Sequence, residues 1–87
     1  MASRVVTVDS TEVHLTPIEY KILLMLVKNA GKVVTHKQLL AQVWGYEYYG
    51  DLRVVDAAIK RLRAKLRRVA QEDVVTTVRG VGYRLPG

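Results

Sequence analysis

Basic residues are the groups in this 87-residue chain whose number and spacing could carry chemistry. Residues 53–87 hold nine Lys or Arg against three Asp or Glu, whereas residues 1–52 hold five of each, so the net charge of +6 comes from the C-terminal part. Seven of the basic residues fall between Arg53 and Arg68, a stretch in which Asp56 is the only acid. This asymmetry indicates a polyanionic partner, either a nucleic acid or an anionic membrane surface.

The remaining polar residues do not form a catalytic or metal-binding pattern. The chain has no cysteine, and His14 and His36 have no acidic or histidine neighbours at the spacing of metal ligands. Glu19 follows Thr16 at the spacing of a helix capping box, which explains it better than a general-base role. Asp56 lies among arginines, which are the wrong surroundings for an acid catalyst. The sequence therefore predicts a protein that is not an enzyme and needs no metal or cofactor.

Length and composition predict one globular domain. With 49% hydrophobic and 25% charged residues the chain can bury an apolar core, and without cysteine it must depend on that core rather than on disulfides. The apolar runs are too short to span a bilayer, and the first residues do not resemble a secretion leader. We therefore expect no transmembrane segment. Binding of the basic helix to a membrane surface is also disfavoured, because capped helices and a hairpin indicate a globular core in which that helix cannot lie flat on its own.

Two capping boxes predict the first two helices. Thr16, followed by a proline and then Glu19, starts a strongly apolar helix that ends near Gly31. Thr35, followed three residues later by a glutamine, starts a second helix that runs to about Trp44. The segment 45–51, rich in glycine and tyrosine, then predicts a loop.

The third predicted helix, about residues 52–69, contains the basic cluster. With roughly 100° of rotation per residue, its large apolar residues share one face, and its basic residues lie opposite with two alanines among them. The predicted core positions are Val55, Ile59, Leu62 and Leu66. The predicted outward positions are Arg53, Ala57, Lys60, Arg61, Ala64 and Arg68.

Short β-prone segments lie at both ends of the chain. Arg4–Val8 and Val13–Leu15, separated by a polar turn, predict an N-terminal hairpin. The segment 74–85 predicts a second hairpin, which turns at Gly80 and Gly82 and carries Arg79 at its tip.

Three helices between two hairpins favour an α+β winged helix-turn-helix fold. The major groove of B-DNA admits one α-helix between its phosphate rims, and a thin basic hairpin fits the narrow minor groove. The pattern therefore predicts binding to double-stranded DNA.

Five motifs, which together cover nearly everything from Val13 onward, carry a resemblance to a known family: Leu15–Tyr20, Val43–Tyr46, Asp51–Asp56, Ile59–Leu66 and Thr76–Arg84. In these motifs the chain resembles the C-terminal effector domains of OmpR/PhoB-type bacterial response regulators. The resemblance implies the output domain of a two-component system in the bacterial cytoplasm, which regulates transcription by sequence-specific DNA binding. It also implies a tandem dimer on direct-repeat half-sites, contact with RNA polymerase, and a receiver domain in the full-length protein.

The resemblance carries over to individual positions. Those implied to read bases are Arg61, Ala57, Val54, Lys60 and, in the minor groove, Arg79. Those implied to contact phosphates are Trp44, Arg53, Ala58, Arg63, Thr77 and Tyr83. The loop implied to contact RNA polymerase contains Tyr46, Glu47, Tyr48 and Tyr49.

This chain also departs from the family pattern. Val54 and Ala58 stand where many relatives have a threonine and a histidine, so these positions offer apolar contacts to thymine methyl groups, or none. Two strands precede Thr16 where the family usually has four, so residues 1–87 are interpreted as one winged-helix domain with a shortened sheet and no receiver.

Other interpretations of the same residues stay open. Arg63 is as well explained by pairing with Asp56 or another acid as by DNA contact. Trp44 is better explained by core packing, with a phosphate contact as an addition. Lys65, Arg67 and Arg68 are interpreted as ordinary surface residues. The alternative functions are a winged-helix module that binds a protein through the tyrosine loop, and the effector domain of a one-component regulator without a receiver.

Overall fold

The computed structural model describes residues 4–8, 10–45, 51, 53–70 and 74–86. Over these ranges, two small antiparallel sheets flank three helices, as predicted. The strands are β1 (Arg4–Val8), β2 (Thr11–Leu15), β3 (Val34–Thr35), β4 (Thr76–Val78) and β5 (Gly82–Arg84). The helices are α1 (Pro17–Lys28), α2 (His36–Leu39, continued by Leu40–Trp44 in wider turns) and α3 (Arg53–Ala70).

The N-terminal hairpin pairs β1 with β2, Arg4 lying opposite Leu15 and Val8 opposite Thr11. The predicted turn was therefore too long, because Thr11 and Glu12 continue the ladder as part of β2. Leu15 is fully buried, so this hairpin packs its inner face onto the helices.

Both predicted capping boxes are confirmed. At α1 the Glu19 backbone N–H donates to Thr16 Oγ1 at 3.2 Å, and the Thr16 N–H donates to Glu19 Oε1 at 3.0 Å. At α2 the corresponding bonds join Gln38 and Thr35 at 3.1 and 2.8 Å. Each box satisfies backbone donors that the first turn of a helix leaves without an internal partner.

The second helix widens after Leu39 instead of continuing as a regular α-helix. The Gly45 N–H donates to the Leu40 carbonyl oxygen at 3.1 Å, which closes a turn of the π type. Helical structure still reaches Trp44, the predicted end, and Gly45 terminates it with a φ of 104°.

A single core joins the helices to both hairpins. The predicted apolar face of α3 is confirmed, since Val55, Ile59, Leu62 and Leu66 are all buried. They share this core with residues from the rest of the chain, among them Leu15, Ile22, Leu26, Val34, Leu39 and Val75. No helix in the described ranges has both the length and the apolar character needed to cross a membrane.

The second sheet has the order β3-β5-β4 and differs from the prediction in three respects. The two-residue strand β3 was not predicted, and β4 begins at Thr76 rather than at Val74. Gly82 does not form the turn: it lies in β5, where a Cβ atom would be 2.0 Å from the Val34 carbonyl oxygen. Gly80, with a φ of 72°, provides the left-handed turn conformation. We call β4, β5 and their connecting turn 79–81 the wing.

Candidate nucleic-acid interface

The side of α3 opposite the core is exposed along the helix. All six predicted outward positions are exposed, and we call them the outer face of α3: Arg53, Ala57, Lys60, Arg61, Ala64 and Arg68. The helix has 18 residues, which corresponds to about 27 Å at 1.5 Å per residue. Cations therefore alternate with small side chains on a long convex surface, which allows close approach to a groove.

One flank of α3 is held by α1 through the buried carboxylate of Glu19. Lys65 Nζ donates to Glu19 Oε1 at 2.6 Å, and Arg61 Nε lies 3.6 Å from Oε2. Glu19 is only 1% exposed, whereas the Arg61 side chain is 61% exposed. The capping role predicted for Glu19 is confirmed, but its ion pairs with α3 were missed.

The pKa of Glu19 reflects opposing effects. Burial alone would raise this pKa, but the hydrogen bonds from Lys65 and from the Thr16 backbone, together with the charges of Lys65 and Arg61, hold it below its ordinary value. The carboxylate therefore stays ionised at neutral pH and can anchor both cations of α3. Arg61 and Lys65 are one helical turn apart and therefore lie on the same side of α3. This spacing does not indicate that Glu19 of α1 pairs with them.

The opposite flank of α3 is held by the wing and by Val75, the residue just before it. Arg63 is half-buried, and its Nη2 donates to the Val75 carbonyl oxygen at 2.6 Å, just before β4. Its predicted pairing with Asp56 or another acid is replaced by this bond to the backbone. Asp56 instead accepts a hydrogen bond from the Tyr83 hydroxyl on β5.

His36, at the start of α2, completes a contact among three elements, which we call the Asp56 junction (His36, Asp56 and Tyr83). His36 Nε2 lies 3.2 Å from Asp56 Oδ1, and Nδ1 lies 3.1 Å from the Val81 carbonyl oxygen. The His36 and Tyr83 rings meet edge to face, with centroids 5.2 Å apart. Burial and the bond to the Asp56 carboxylate raise the pKa of Tyr83 to about 12.

The structure places the predicted base-reading residues on two elements. Arg61, Ala57 and Lys60 are exposed on α3, and Arg79 is exposed on the wing turn. Val54 is half-buried and packs against the core. The four exposed residues are thus available to a partner that covers α3 and the wing together.

The predicted phosphate contacts are less uniform. Arg53 and Thr77 are exposed, although Arg53 Nε also donates to Asp51 Oδ2 at 2.8 Å. Trp44 is half-buried against the core, as its structural interpretation predicted. The Tyr83 residue is 5% exposed and its hydroxyl is engaged by Asp56.

The prediction for Ala58 is wrong. Ala58 is 0% exposed and belongs to the core, so its side chain offers no surface to a phosphate. It lies at the edge of the apolar arc of α3, where neighbouring elements cover it. The tyrosine loop prediction, Tyr46–Tyr49, lies outside the described residues.

The chain matches a family described as "Transcriptional regulatory protein, C terminal" over residues 10–85. It is 53% identical over 81 residues to the transcriptional regulatory protein SrrA of Staphylococcus aureus, a match that covers 91% of this chain and 34% of SrrA. The chain thus spans about a third of the length of that relative.

Two solved structures have the same fold. One is the DNA-binding domain of the response regulator AdeR in complex with an intercistronic region, with a TM-score of 0.85, 31% identity, and coverage of 95% of this chain and 85% of that one. The other is the response regulator DrrB, a Thermotoga maritima OmpR/PhoB homolog, with a TM-score of 0.79, 40% identity, and coverage of 92% of this chain and 36% of DrrB. These matches confirm the predicted winged-helix architecture. The chain belongs to the C-terminal domains of transcriptional regulatory proteins, the DNA-binding domains of OmpR/PhoB-type response regulators.

Proposed function

We propose that this domain reads a specific double-stranded DNA sequence by inserting the outer face of α3 into the major groove. The observation that carries the proposal is the outer face itself, where Ala57 and Ala64 are exposed between cationic side chains. Small residues at the centre of a helix surface let its backbone approach base edges, while longer flanking side chains reach bases and phosphates.

Arg61 is the proposed principal base reader. Its guanidinium group matches the two acceptors, O6 and N7, that guanine presents in the major groove. Lys60 and Ala57 lie next to it on the outer face, and Arg53 and Thr77, which are exposed, are proposed to contact phosphates. Arg79 on the wing turn is proposed to enter the adjacent minor groove, which attracts arginine where it is narrow.

The wider assembly is proposed from family membership. We propose that the full-length protein carries a receiver domain, acts in the bacterial cytoplasm, and places two copies of this domain in tandem on direct-repeat half-sites. Contact with RNA polymerase through Tyr46, Glu47, Tyr48 and Tyr49 is part of the same proposal, and the structural description of the chain does not include these four residues.

Selection of binding sites from a random duplex library tests the base-reading proposal. At ~150 mM salt, where exposed charges are substantially screened, we expect recovery of a short motif. Arg61→Ala is expected to remove the preference for one base pair of that motif, whereas Lys28→Ala, which removes an exposed charge from α1, retains the full motif. Recovery of unrelated sequences by the folded parent domain would contradict specific reading.

A further inference from the structure

The base reader proposed above is in contact with a buried acid. Glu19 Oε1 is fully engaged, since it accepts bonds from the Thr16 N–H at 3.0 Å and from Lys65 Nζ at 2.6 Å. Glu19 Oε2 is buried as well but has no hydrogen-bond donor among the described residues. Arg61 Nε, at 3.6 Å, is the cationic nitrogen that faces it.

This arrangement restrains the inner half of the Arg61 side chain. A buried carboxylate oxygen without a hydrogen bond is costly, so it draws the Nε–H group towards itself. The two terminal nitrogens of the guanidinium group lie beyond Nε, and the side chain as a whole is 61% exposed. The outer edge of Arg61 therefore remains available to a ligand while its Nε faces the Glu19 carboxylate of α1.

We propose that Glu19 is a positioning residue for sequence reading, which holds Arg61 in the conformation that meets its base. This inference rests on the proposed function. An arginine that is already ordered loses less conformational freedom on binding than a free one, so the matched sequence gains affinity. The negative charge of Glu19 also offsets part of the charge of Arg61 and Lys65, which lowers the attraction for unrelated DNA.

Glu19→Gln tests the proposal because glutamine keeps the length of the side chain and an oxygen for the Thr16 N–H. The quantity to measure is the ratio of the Kd values for a scrambled and a matched duplex. We expect this ratio to fall about tenfold, within the range that one good base contact provides, while the Kd for the scrambled duplex stays constant or decreases. Equal weakening on both duplexes, or an unchanged ratio, would overturn the proposal.

The double variant separates a positioning role from a structural one. In an Arg61→Ala background, Glu19→Gln is expected to leave the specificity ratio unchanged, because the side chain that it positions is absent. A tenfold decrease in that background as well would refute action through Arg61. Lys65→Gln is the matched control, since it removes the other cation from the same carboxylate. It is expected to keep the parent ratio within about twofold, and a loss as large as that of Glu19→Gln would assign the effect to Lys65.

A measurement on the unmodified domain keeps the proposal testable if Glu19→Gln does not fold. Arginine Nε–H groups give separate NMR signals, and their ¹⁵N relaxation reports side-chain motion on the ps–ns timescale. We expect the Nε of Arg61 to be rigid in the free domain and the Nε of Arg68, which is exposed on the same outer face, to be mobile. Equal mobility of the two would overturn the inference. If the parent domain itself lacks sequence preference, the proposed function fails instead.

Discussion

Single residues of this domain divide between those that contact the core and those that are free to contact a partner. Ala57 and Ala58 are adjacent, yet the first is exposed on the outer face and the second is fully buried. Arg61 and Arg63 differ by degree: Arg61 is exposed although its Nε lies 3.6 Å from Glu19, whereas Arg63 is half-buried and donates to the Val75 carbonyl oxygen. Residue type therefore indicates chemistry at these positions, whereas the angular position on α3 decides whether the side chain is available for it.

Arg79→Ala is expected to weaken DNA binding without changing the motif read in the major groove. Arg79 lies exposed on the wing turn and not on α3, so its loss is expected to remove only the proposed minor-groove contact. Binding assays with matched and scrambled duplexes check this, with Arg84→Ala as a control that removes an exposed charge from β5. An affinity equal to that of the parent domain would remove the wing turn from the mechanism.

Because of Glu19, the domain is expected to lose stability at acid pH. The pKa of Glu19 is lowered in the folded state from an ordinary value of 4.5, so the stabilisation is present above pH 4.5 and is lost as pH falls through the folded-state pKa. Urea unfolding of the parent and of Glu19→Gln should therefore give free energies that differ most near pH 7 and converge below pH 4.5. A difference that does not change with pH would show that the charge of Glu19 does not stabilise the fold.

At the scale of elements, α3 is held by contacts with other elements on both flanks, whereas its outer face is exposed. Glu19 of α1 holds one flank, while the Asp56 junction and the Arg63 bond hold the other. The wing is in turn joined to α2 through β3, which pairs with β5. The helix and the wing are therefore held in a fixed relative orientation. The proposed contact with two adjacent grooves of DNA requires such an orientation.

Gly82→Ala is expected to destabilise the domain more than Gly80→Ala. A Cβ atom at Gly82 would lie 2.0 Å from the Val34 carbonyl oxygen, so β3 and β5 must separate. At Gly80 the space is open, and the cost is the left-handed φ of 72°, about 1–2 kcal/mol for a residue with a Cβ atom. Thermal or urea unfolding measures both variants. Equal losses would mean that the β3–β5 contact contributes little.

Tyr83→Phe is expected to loosen the wing by removing the hydrogen bond to Asp56. The loss in unfolding free energy should be about 1 kcal/mol, the value of an ordinary hydrogen bond, because the Asp56 side chain is 58% exposed and solvent weakens the added effect of its charge. The pKa of Tyr83 is raised from 10.0 to about 12 in the folded state. The advantage of the parent is therefore present below pH 10 and disappears as pH rises towards 12. Unfolding curves at pH 7 and above pH 10 check the size and the sign, and an advantage that persists at pH 12 would contradict this assignment.

At the scale of the whole molecule, charge is separated along the chain. The net charge of +6 arises from residues 53–87, which include α3 and the wing, and residues 1–52 are neutral. Affinity for DNA should therefore fall steeply with salt, because each neutralised phosphate releases counterions. We expect Arg53→Ala to reduce the log–log salt slope by about one, whereas Lys28→Ala leaves it unchanged. Identical slopes for all three proteins would exclude Arg53 from the phosphate contacts.

The local features of the chain were predictable from its sequence because they depend on neighbours three or four residues apart. Both capping boxes and the apolar stripe of α3 are such features, and the structure confirms them. The turn of the first hairpin was placed less well, since a polar stretch does not reveal how far pairing continues. Helical periodicity predicted that Arg61 and Lys60 face outward, and both are exposed. The resemblance implied a phosphate contact at Ala58, but the side chain of Ala58 is buried because neighbouring elements cover that edge of α3.

The sequence by itself determined which segments form helices, which face of α3 is apolar and where the positive charge concentrates. Only the tertiary structure decided which side chains meet across elements, because no periodic pattern connects distant parts of a chain. Glu19 and Lys65 are 46 residues apart, and Asp56 and Tyr83 are 27 apart. The close passage of β3 over Gly82 is of the same kind. These contacts depend on how the elements pack. The same packing sets the orientation of the basic outer face of α3 relative to the wing.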